Sequence, residues 1–590
     1  MTPPLYQQVP LVNDQADIRL LTLFPAKTET DPVICQLSAV TLAQVENKYE
    51  ALSYQWFGPQ SSQILVNDIE ILVGTSLFDA LVALRLGDRP RTLWADALCI
   101  DQQSSAYEGE KCHQIRLMRS IYQNAARTVA WVGKAKTSDA GTHSLHELMD
   151  IIAEAVDKVE SDEKIGEQLA LNGVYHLSKE EMKTFGIPDP DDDDRYSALA
   201  DLLDRPWWKR VWVIQEATLA KKTIIHCGPH KFYMTDLFEM LAFAWSALNA
   251  KQLMDIGTHS RHFAAQAEKQ KRGHRDTLLS LAIMASPSEA TLPHDKLYGL
   301  CGLARDVGPG KLNITFDYST PFGDVYTDFA RSVLLTSGNL DIFCALSARV
   351  TTADRSIPSW VPDWRSEAFA PFTLIYQRTG QRDSYDRGMI LFLATSASTS
   401  KLRFDSSGKS LCLEGFTLDD IVCLGEPSKD GESEAEGRHV LLNWRNKIAR
   451  CTTRWRYKPT DQRMVDVFYH TITMGNVERY LDNPLQEYRR FDRALRKKSK
   501  SLRDVMGSFF YAGRFMANRR MARTRDGYLC LVPQTAAVGD EIALFTGGAL
   551  PLVVRKTTSD SWQMIGDTYV HGIMMGEAYD EAKCKPFWFN

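Results

Sequence analysis

The stretch EKCHQIRLMRSIYQNAARTVAWVG, residues 110–133, decides the fold. Ile115, Met118, Ile121 and Ala125 recur at helical spacing and make one apolar stripe, and TVAWVG then reads as a short buried strand. Upstream, TLWADALCI (92–100) reads as a strand buried on both faces. TSLFDALVALRL (75–86) reads as a helix capped by Thr75 or Ser76, with Leu77, Leu81 and Leu84 on one face. Before it come the strand-like runs IRLLTLF, VICQLSAV, YEALSYQWF and ILVNDIEILV, the last turning at Asn67-Asp68. Strand and helix in alternation predict an α/β domain with a largely parallel sheet. Working residues of such a sheet stand at the carboxyl ends of its strands.

Downstream the rhythm changes. Residues 134–195 are acidic, end in GIPDPDDDDR, and predict a solvated, partly disordered insertion. SALADLLDRPWWKRVWVIQEATLA then resumes a helical pattern and KKTIIHCG closes with a strand. Residues 231–345 read as mainly helical, with FYMTDLFEMLAFAWSAL and DVYTDFARSVLLTS as the clearest segments. Residues 400–424 and 526–576 alternate in strand fashion with Gly-rich turns and predict a β-rich region. Between them lies a basic run with interspersed Phe and Tyr, residues 489–525. It reads either as a surface for nucleic acid or anionic lipid or as a solvated helical insertion offset by the acidic segment. The net charge of −5 favours the insertion and gives no reason to expect a nucleic-acid partner.

A chain of 590 residues exceeds one ordinary core, and 44% hydrophobic residues suffice for several. The eleven cysteines form neither a CxxC pair nor a zinc-module spacing, which fits reduced thiols in a cytoplasmic protein and no metal site. No secretory signal is evident, and no run of about 18 apolar residues predicts a membrane span. Neither GxxxxGK[ST] nor GxGxxG is present, which argues against a P-loop ATPase or a Rossmann dehydrogenase.

The densest cluster of chemistry is RPWWKRVWVIQEA, residues 205–217. On a helix, Trp212 and Glu216 stand at i and i+4 and share a face. Glu216 is thus either a desolvated working acid or a solvated neighbour of the indole. Trp207 and Trp208 read as packing residues, and Arg205 and Arg210 as exposed cations or pyrophosphate contacts. Cys99 reads as a buried thiol; Cys112 and His113, being adjacent on a helix, do not face each other as a catalytic pair would.

Four blocks together, YEALSYQWFG (49–58), LWADALCIDQ (93–102), residues 110–133 and residues 205–217, resemble in order the fungal HET, or heterokaryon incompatibility, domain. DKLYGLCGLA (295–304), FDYSTPFGDVYTDFAR (316–331), IPSWVPDW (357–364) and the closing segment from Arg525 resemble the downstream region of long HET proteins. Two departures stand out: CIDQ with Asp101 in place of the usual Asn, and Phe57 between Trp56 and Gly58.

The resemblance implies a TIR/flavodoxin-like domain over residues 1–235 carrying the acidic insertion, a mainly helical region over 236–395, and a β-rich region over 396–590 with the basic insertion at about 485–525. It implies a role in non-self recognition and programmed cell death, self-association through the HET domain, and an unknown incompatibility partner. In TIR domains that cleave NAD the catalytic glutamate lies in a WxxxE helix, which Trp212 and Glu216 match. NAD is then a candidate substrate and no cofactor is needed. Glu216 would stabilise the oxocarbenium-like ribose. Tyr54 and Trp56 would wall the site and Trp212 would join them in binding substrate; Asp96 and Asp101 would bind ribose hydroxyls or loop backbone, Ser53 would orient a phosphate or Glu216, and Arg205 would meet a pyrophosphate. The non-enzymatic alternatives are a HET signalling module, or an accessory protein of a biosynthetic gene cluster.

Overall fold

The computed structural model describes residues 4–12, 16–56, 59–102, 109–135, 139–166, 177–190, 192–248, 258–348, 356–365, 392–396, 398–429, 434–450, 456–475, 483–497, 515–557 and 561–590. The chain divides into two compact units. The first comprises Met1–Leu281, Ser288–Val307 and Ile314–Thr320, and the second Ala282–Pro287, Gly308–Asn313 and Pro321–Asn590.

The first unit is built on nine strands: β1 (Asp17–Leu23), β2 (Ile34–Thr41), β3 (Glu50–Tyr54), β4 (Gln60–Val66), β5 (Ile69–Gly74), β6 (Arg91–Trp94), β7 (Arg127–Trp131), β8 (Thr223–Cys227) and β9 (His230–Tyr233). They pair in the order β5-β4-β2-β1-β6-β3-β7-β8-β9. The inner four, β6, β3, β7 and β8, are mutually parallel. All five residues of β3 are buried, as a strand covered on both faces requires. From β3 the chain winds to β6 on one side and then to β7 on the other. The reversal falls beside β3, the position in the strand order at which sheets of this kind place their ligand sites.

Helices cover the sheet: α1 (Thr75–Leu84), α2 (Glu110–Asn124), α3 (Asp139–Glu160), α4 (Asp194–Leu203), α5 (Val211–Thr218), α6 (Met234–Ala247), α7 (Thr258–Lys271) and α8 (Asp295–Cys301). α2 buries Ile115, Met118 and Ile121, the stripe its spacing predicts. Asn67 and Asp68 both take positive φ, 50° and 61°, which suits the tight turn joining β4 to β5.

Four expectations need correction. α1 is capped by the backbone of Gly74, not by a Thr75 or Ser76 hydroxyl. TLWADALCI leaves the strand at Trp94, because the Asp96 carboxylate accepts the Ala97 N–H (2.8 Å) and starts a helical turn, Asp96–Cys99. Residues 205–217 are not one helix: Pro206–Lys209 forms a 3-10 turn, Arg210 is extended, and α5 begins only at Val211. The described residues of the acidic stretch are largely helical, and α3 sinks Leu145, Leu148, Ile152, Ala155 and Val159 against α4 and α6; residues 136–138, 167–176 and 191 lie outside the described residues. Phe57 and Gly58 lie outside the described residues.

The second unit holds the β-rich region. β10 (Leu402–Phe404) leads into the long β11 (Leu411–Leu424), followed by β12 (Arg456–Tyr457), β13 (Gln462–Arg463), β14 (Arg519–Thr524), β15 (Leu529–Pro533), β16 (Glu541–Phe545), β17 (Leu552–Lys556), β18 (Trp562–Asp567), β19 (Tyr569–Val570) and β20 (Lys585–Phe589). β11 pairs with β20 in its first third, with β16 in its middle and with β14 at its end. Since β16, β17, β18 and β20 also pair in succession, β11 closes them into a ring. Gly415 sits where β11 passes from one partner to the other; a Cβ there would lie 2.4 Å from the Leu544 carbonyl oxygen. Phe545, Phe587 and Phe589 meet edge to face inside, at 5.4 and 5.6 Å between centroids.

The basic stretch is not one helical insertion. It contributes the end of a helix (Pro484–Arg496) and, as β14, a strand of the sheet; residues 498–514 lie outside the described residues. Arg519 of β14 is fully buried and makes a two-pronged ion pair with Asp567, both contacts 2.9 Å. Stranding a buried guanidinium costs far more than replacing both charges. Asp567→Ala is expected to lose about 3–5 kcal/mol in chemical denaturation of the full chain, and Arg519→Met with Asp567→Leu to recover most of it.

Candidate functional site

Three chain segments meet at the carboxyl ends of the parallel strands. β3 ends in Ser53 and Tyr54, Asp96 follows β6 at once, and Glu216 lies on α5, which runs back toward β8. Glu216 is 3% exposed. Its carboxylate accepts the Ser53 hydroxyl, and the Ser53 oxygen in turn accepts the Trp207 indole N–H at 3.0 Å. From β7, the Thr128 hydroxyl donates to the Glu216 main-chain carbonyl at 3.0 Å, so α5 is tied to β3 by its side chain and to β7 by its backbone.

Burial pushes the Glu216 carboxyl up to about 7, with the nearby Asp96 acting in the same direction; the Arg210 guanidinium and the Ser53 hydroxyl hold it lower than burial alone would. Arg210 stands just before α5 and donates to the Tyr54 carbonyl. Its charge also reaches Asp96, whose carboxyl burial raises above the usual range. Among the described residues no cation lies within ion-pair distance of Glu216. A carboxyl that titrates near neutrality can either hold or take a proton at physiological pH.

The residues singled out in the sequence divide into two sets. Ser53, Tyr54, Trp56, Asp96 and Glu216 stand together. The Tyr54 hydroxyl donates to Asp96 at 3.0 Å, and the Trp56 indole, 46% exposed, donates to both Asp96 oxygens at 3.0 and 3.1 Å. The others are engaged elsewhere. Arg205 donates to the carbonyls of Val132 (3.1 Å) and Lys134 (2.9 Å) and pairs with Asp201. The Asp101 N–H donates to Glu110, which itself holds the buried Arg19. Trp212 packs on Gly299 of α8, near the Asp295 carboxylate. The indole that reaches the Ser53–Glu216 pair is Trp207, one of the two tryptophans read as packing residues. Cys99 is buried and its thiol is pushed up to about 12 by desolvation, which leaves almost no thiolate at neutral pH. Among the described residues no three His, Cys, Asp or Glu side chains gather as metal ligands, and no helix is long and apolar enough to cross a membrane.

Two family models match this chain. Residues 49–216, from the start of β3 to Glu216, match the Heterokaryon incompatibility protein (HET) model, and residues 454–589 match the Het-6 beta-barrel domain, the part that supplies all but β11 of the closed ring. In these two parts the chain is similar to heterokaryon incompatibility proteins. The likeness extends over nearly the full chain to Heterokaryon incompatibility protein 6, OR allele, of Neurospora crassa, which is 26% identical over 685 aligned positions covering 99% of this chain and 97% of that protein. No solved structure matches.

The raised carboxyl has a thermodynamic signature. Glu216 ionises near 4.5 when unfolded and near 7 when folded, so folding favours its protonated form and stability declines as pH rises between those values. Glu216→Gln keeps the shape without the titration. Relative to that variant, the wild type is expected to lose on the order of 3 kcal/mol between pH 4.5 and 7, with no further change above, in urea unfolding followed across pH.

Proposed function

We propose that this protein acts in fungal heterokaryon incompatibility, and that its first unit is a TIR-like HET domain that cleaves the nicotinamide–ribose bond of NAD to trigger cell death in the cytoplasm. The observation that carries the reading is the buried Glu216, protonatable near neutrality and hydrogen-bonded to Ser53 beside the reversal of winding at β3. The parallel order β6-β3-β7-β8 supports it as well, being the second-first-third-fourth order of flavodoxin-like sheets. The full-length likeness to a heterokaryon incompatibility protein supports the biological setting.

The chemistry follows from the site. Nicotinamide departs as a neutral base from a cationic pyridinium, so the bond needs little acid; the ribose left behind gathers positive charge. An ionised Glu216 in a dry pocket stabilises that charge, with a ribose hydroxyl taking the place of Ser53 as its donor. Arg210 balances the two carboxylates and favours the ionised form of Glu216. Because Glu216 is covered, binding must open the site, and assembly of several copies through this domain is the step we assign to that opening.

The second reading is a non-enzymatic signalling module, favoured by the closed packing of Ser53 and Trp207 on Glu216. The two part in one assay. At high protein concentration the full chain is expected to consume NAD, and Glu216→Gln to lose ~100-fold or more of that rate; no consumption by either chain selects the module.

A further inference from the structure

The family match ends at Glu216, yet the helix that carries Glu216 is held from its other side by residues far beyond it. Glu289 forms a parallel bridge with Arg210, and the Val211 N–H donates to the Glu289 carbonyl at 3.0 Å, fixing where α5 begins. α8 then lies along α5 in close contact. A Cβ on Gly299 would stand 3.3 Å from the Trp212 ring, and one on Gly302 would stand 2.4 Å from the Gln215 amide oxygen. The missing side chains let α8 approach α5 this closely. The carboxylate of Asp295, buried at the start of α8, receives the Tyr318 hydroxyl at 2.7 Å and lies near the Trp212 indole. Arg119 of α2 donates to the Gly302 carbonyl, and Arg275 donates to the Leu303 (3.1 Å) and Gly302 (3.3 Å) carbonyls. The end of α8 is thus anchored to the same layer.

We infer that the segments Ser288–Val307 and Ile314–Thr320 of the first unit are an integral clamp of the site, in which α8, packed on Trp212 through Gly299 and fixed at its start by the Asp295–Tyr318 bond, holds Trp212 and so positions Glu216 one turn along α5. Asp295 and Tyr318 are positioning residues: neither touches Glu216. This assigns Trp212 a role other than a ligand wall. It also extends the smallest unit that can present Glu216 in its buried state from the end of the family match to about residue 320. The inference deepens the proposed function but rests on packing that is present with or without turnover.

The test follows the Glu216 carboxyl itself in the full chain, by infrared titration of its protonated C=O band, identified by subtraction of the Glu216→Gln spectrum. Asp295→Ala removes the acceptor of Tyr318 and the carboxylate near Trp212, whereas Asp295→Asn keeps an acceptor oxygen and removes only the charge. The midpoint is expected to fall by ~1 unit or more in Asp295→Ala, as α5 loosens and water reaches the carboxyl, and to stay in place in Asp295→Asn. Tyr318→Phe, which deletes one hydroxyl, is expected to give a smaller fall and serves in place of the alanine variant if that chain does not fold. A midpoint unmoved in the folded variants overturns the clamp, and so does an equal shift in Asp295→Ala and Asp295→Asn, which would make the effect one of charge. NAD consumption measured on the same samples judges the enzymatic reading separately: a clamp that passes in a chain without turnover refutes only that reading.

Discussion

The hydrogen bond from the Ser53 hydroxyl to the Glu216 carboxylate is the constraint around which the first unit is organised. A glutamate taken almost wholly out of water keeps its place only if something receives its lone pairs and something tempers its charge. Ser53 meets the first need, supported by Trp207, and Arg210 the second without closing into an ion pair. The arrangement requires β3 to end at Ser53-Tyr54, α5 to start at Val211, and Arg210 to be extended between them. Each condition is enforced by a different part of the chain. β3 is fixed by its neighbours β6 and β7, α5 by Glu289, and Arg210 by the Tyr54 carbonyl.

Much of this fold was legible because the signals were local. The hairpin at Asn67-Asp68 depends on two residues that tolerate positive φ, and the stripe Ile115, Met118, Ile121 on helical periodicity alone. The alternation of β6, α2 and β7 likewise pointed to a parallel sheet before any pairing was known. What escaped the reading was non-local. Whether Trp207 or Trp212 faces Glu216 depends on where the 3-10 turn gives way to α5, and that point is set by a bridge to Glu289 in a distant segment. The early end of β6 follows from one side chain, Asp96, competing for its neighbour's N–H. The acidic stretch looked solvated because of its many carboxylates and its closing GIPDPDDDDR, although the apolar residues of α3 fall on one buried stripe. Arg519 sits in a basic run, but its charge is consumed by an aspartate that only the barrel brings near.

The candidate site was legible in the same measure. Residue type and strand position pointed to Ser53, Tyr54, Trp56, Asp96 and Glu216, which do share one cluster. Asp101, Arg205 and Trp212 were grouped with them by sequence proximity, and the contacts described run elsewhere: the Asp101 main-chain N–H to Glu110, the Arg205 guanidinium to the turn after β7, and the Trp212 ring to Gly299 of α8. Adjacency in a motif orders residues along the chain, whereas a site is ordered by which face of an element each side chain leaves.

The long strand β11 has a consequence for inheritance. It supplies the stave that closes the barrel, yet it lies upstream of the residues that match the barrel family, separated from them by a helical excursion. Any exchange between two such chains that broke the sequence after Leu424 would pair one chain's β11 with the other's β16 and β20. The Gly415 passage and the phenylalanine cluster would then have to match across a seam that never co-evolved. Reassortment of whole barrels is therefore mechanically cheap only when the breakpoint falls before Leu411, and the steric demands of one strand set where variation in this part of the protein can be shuffled.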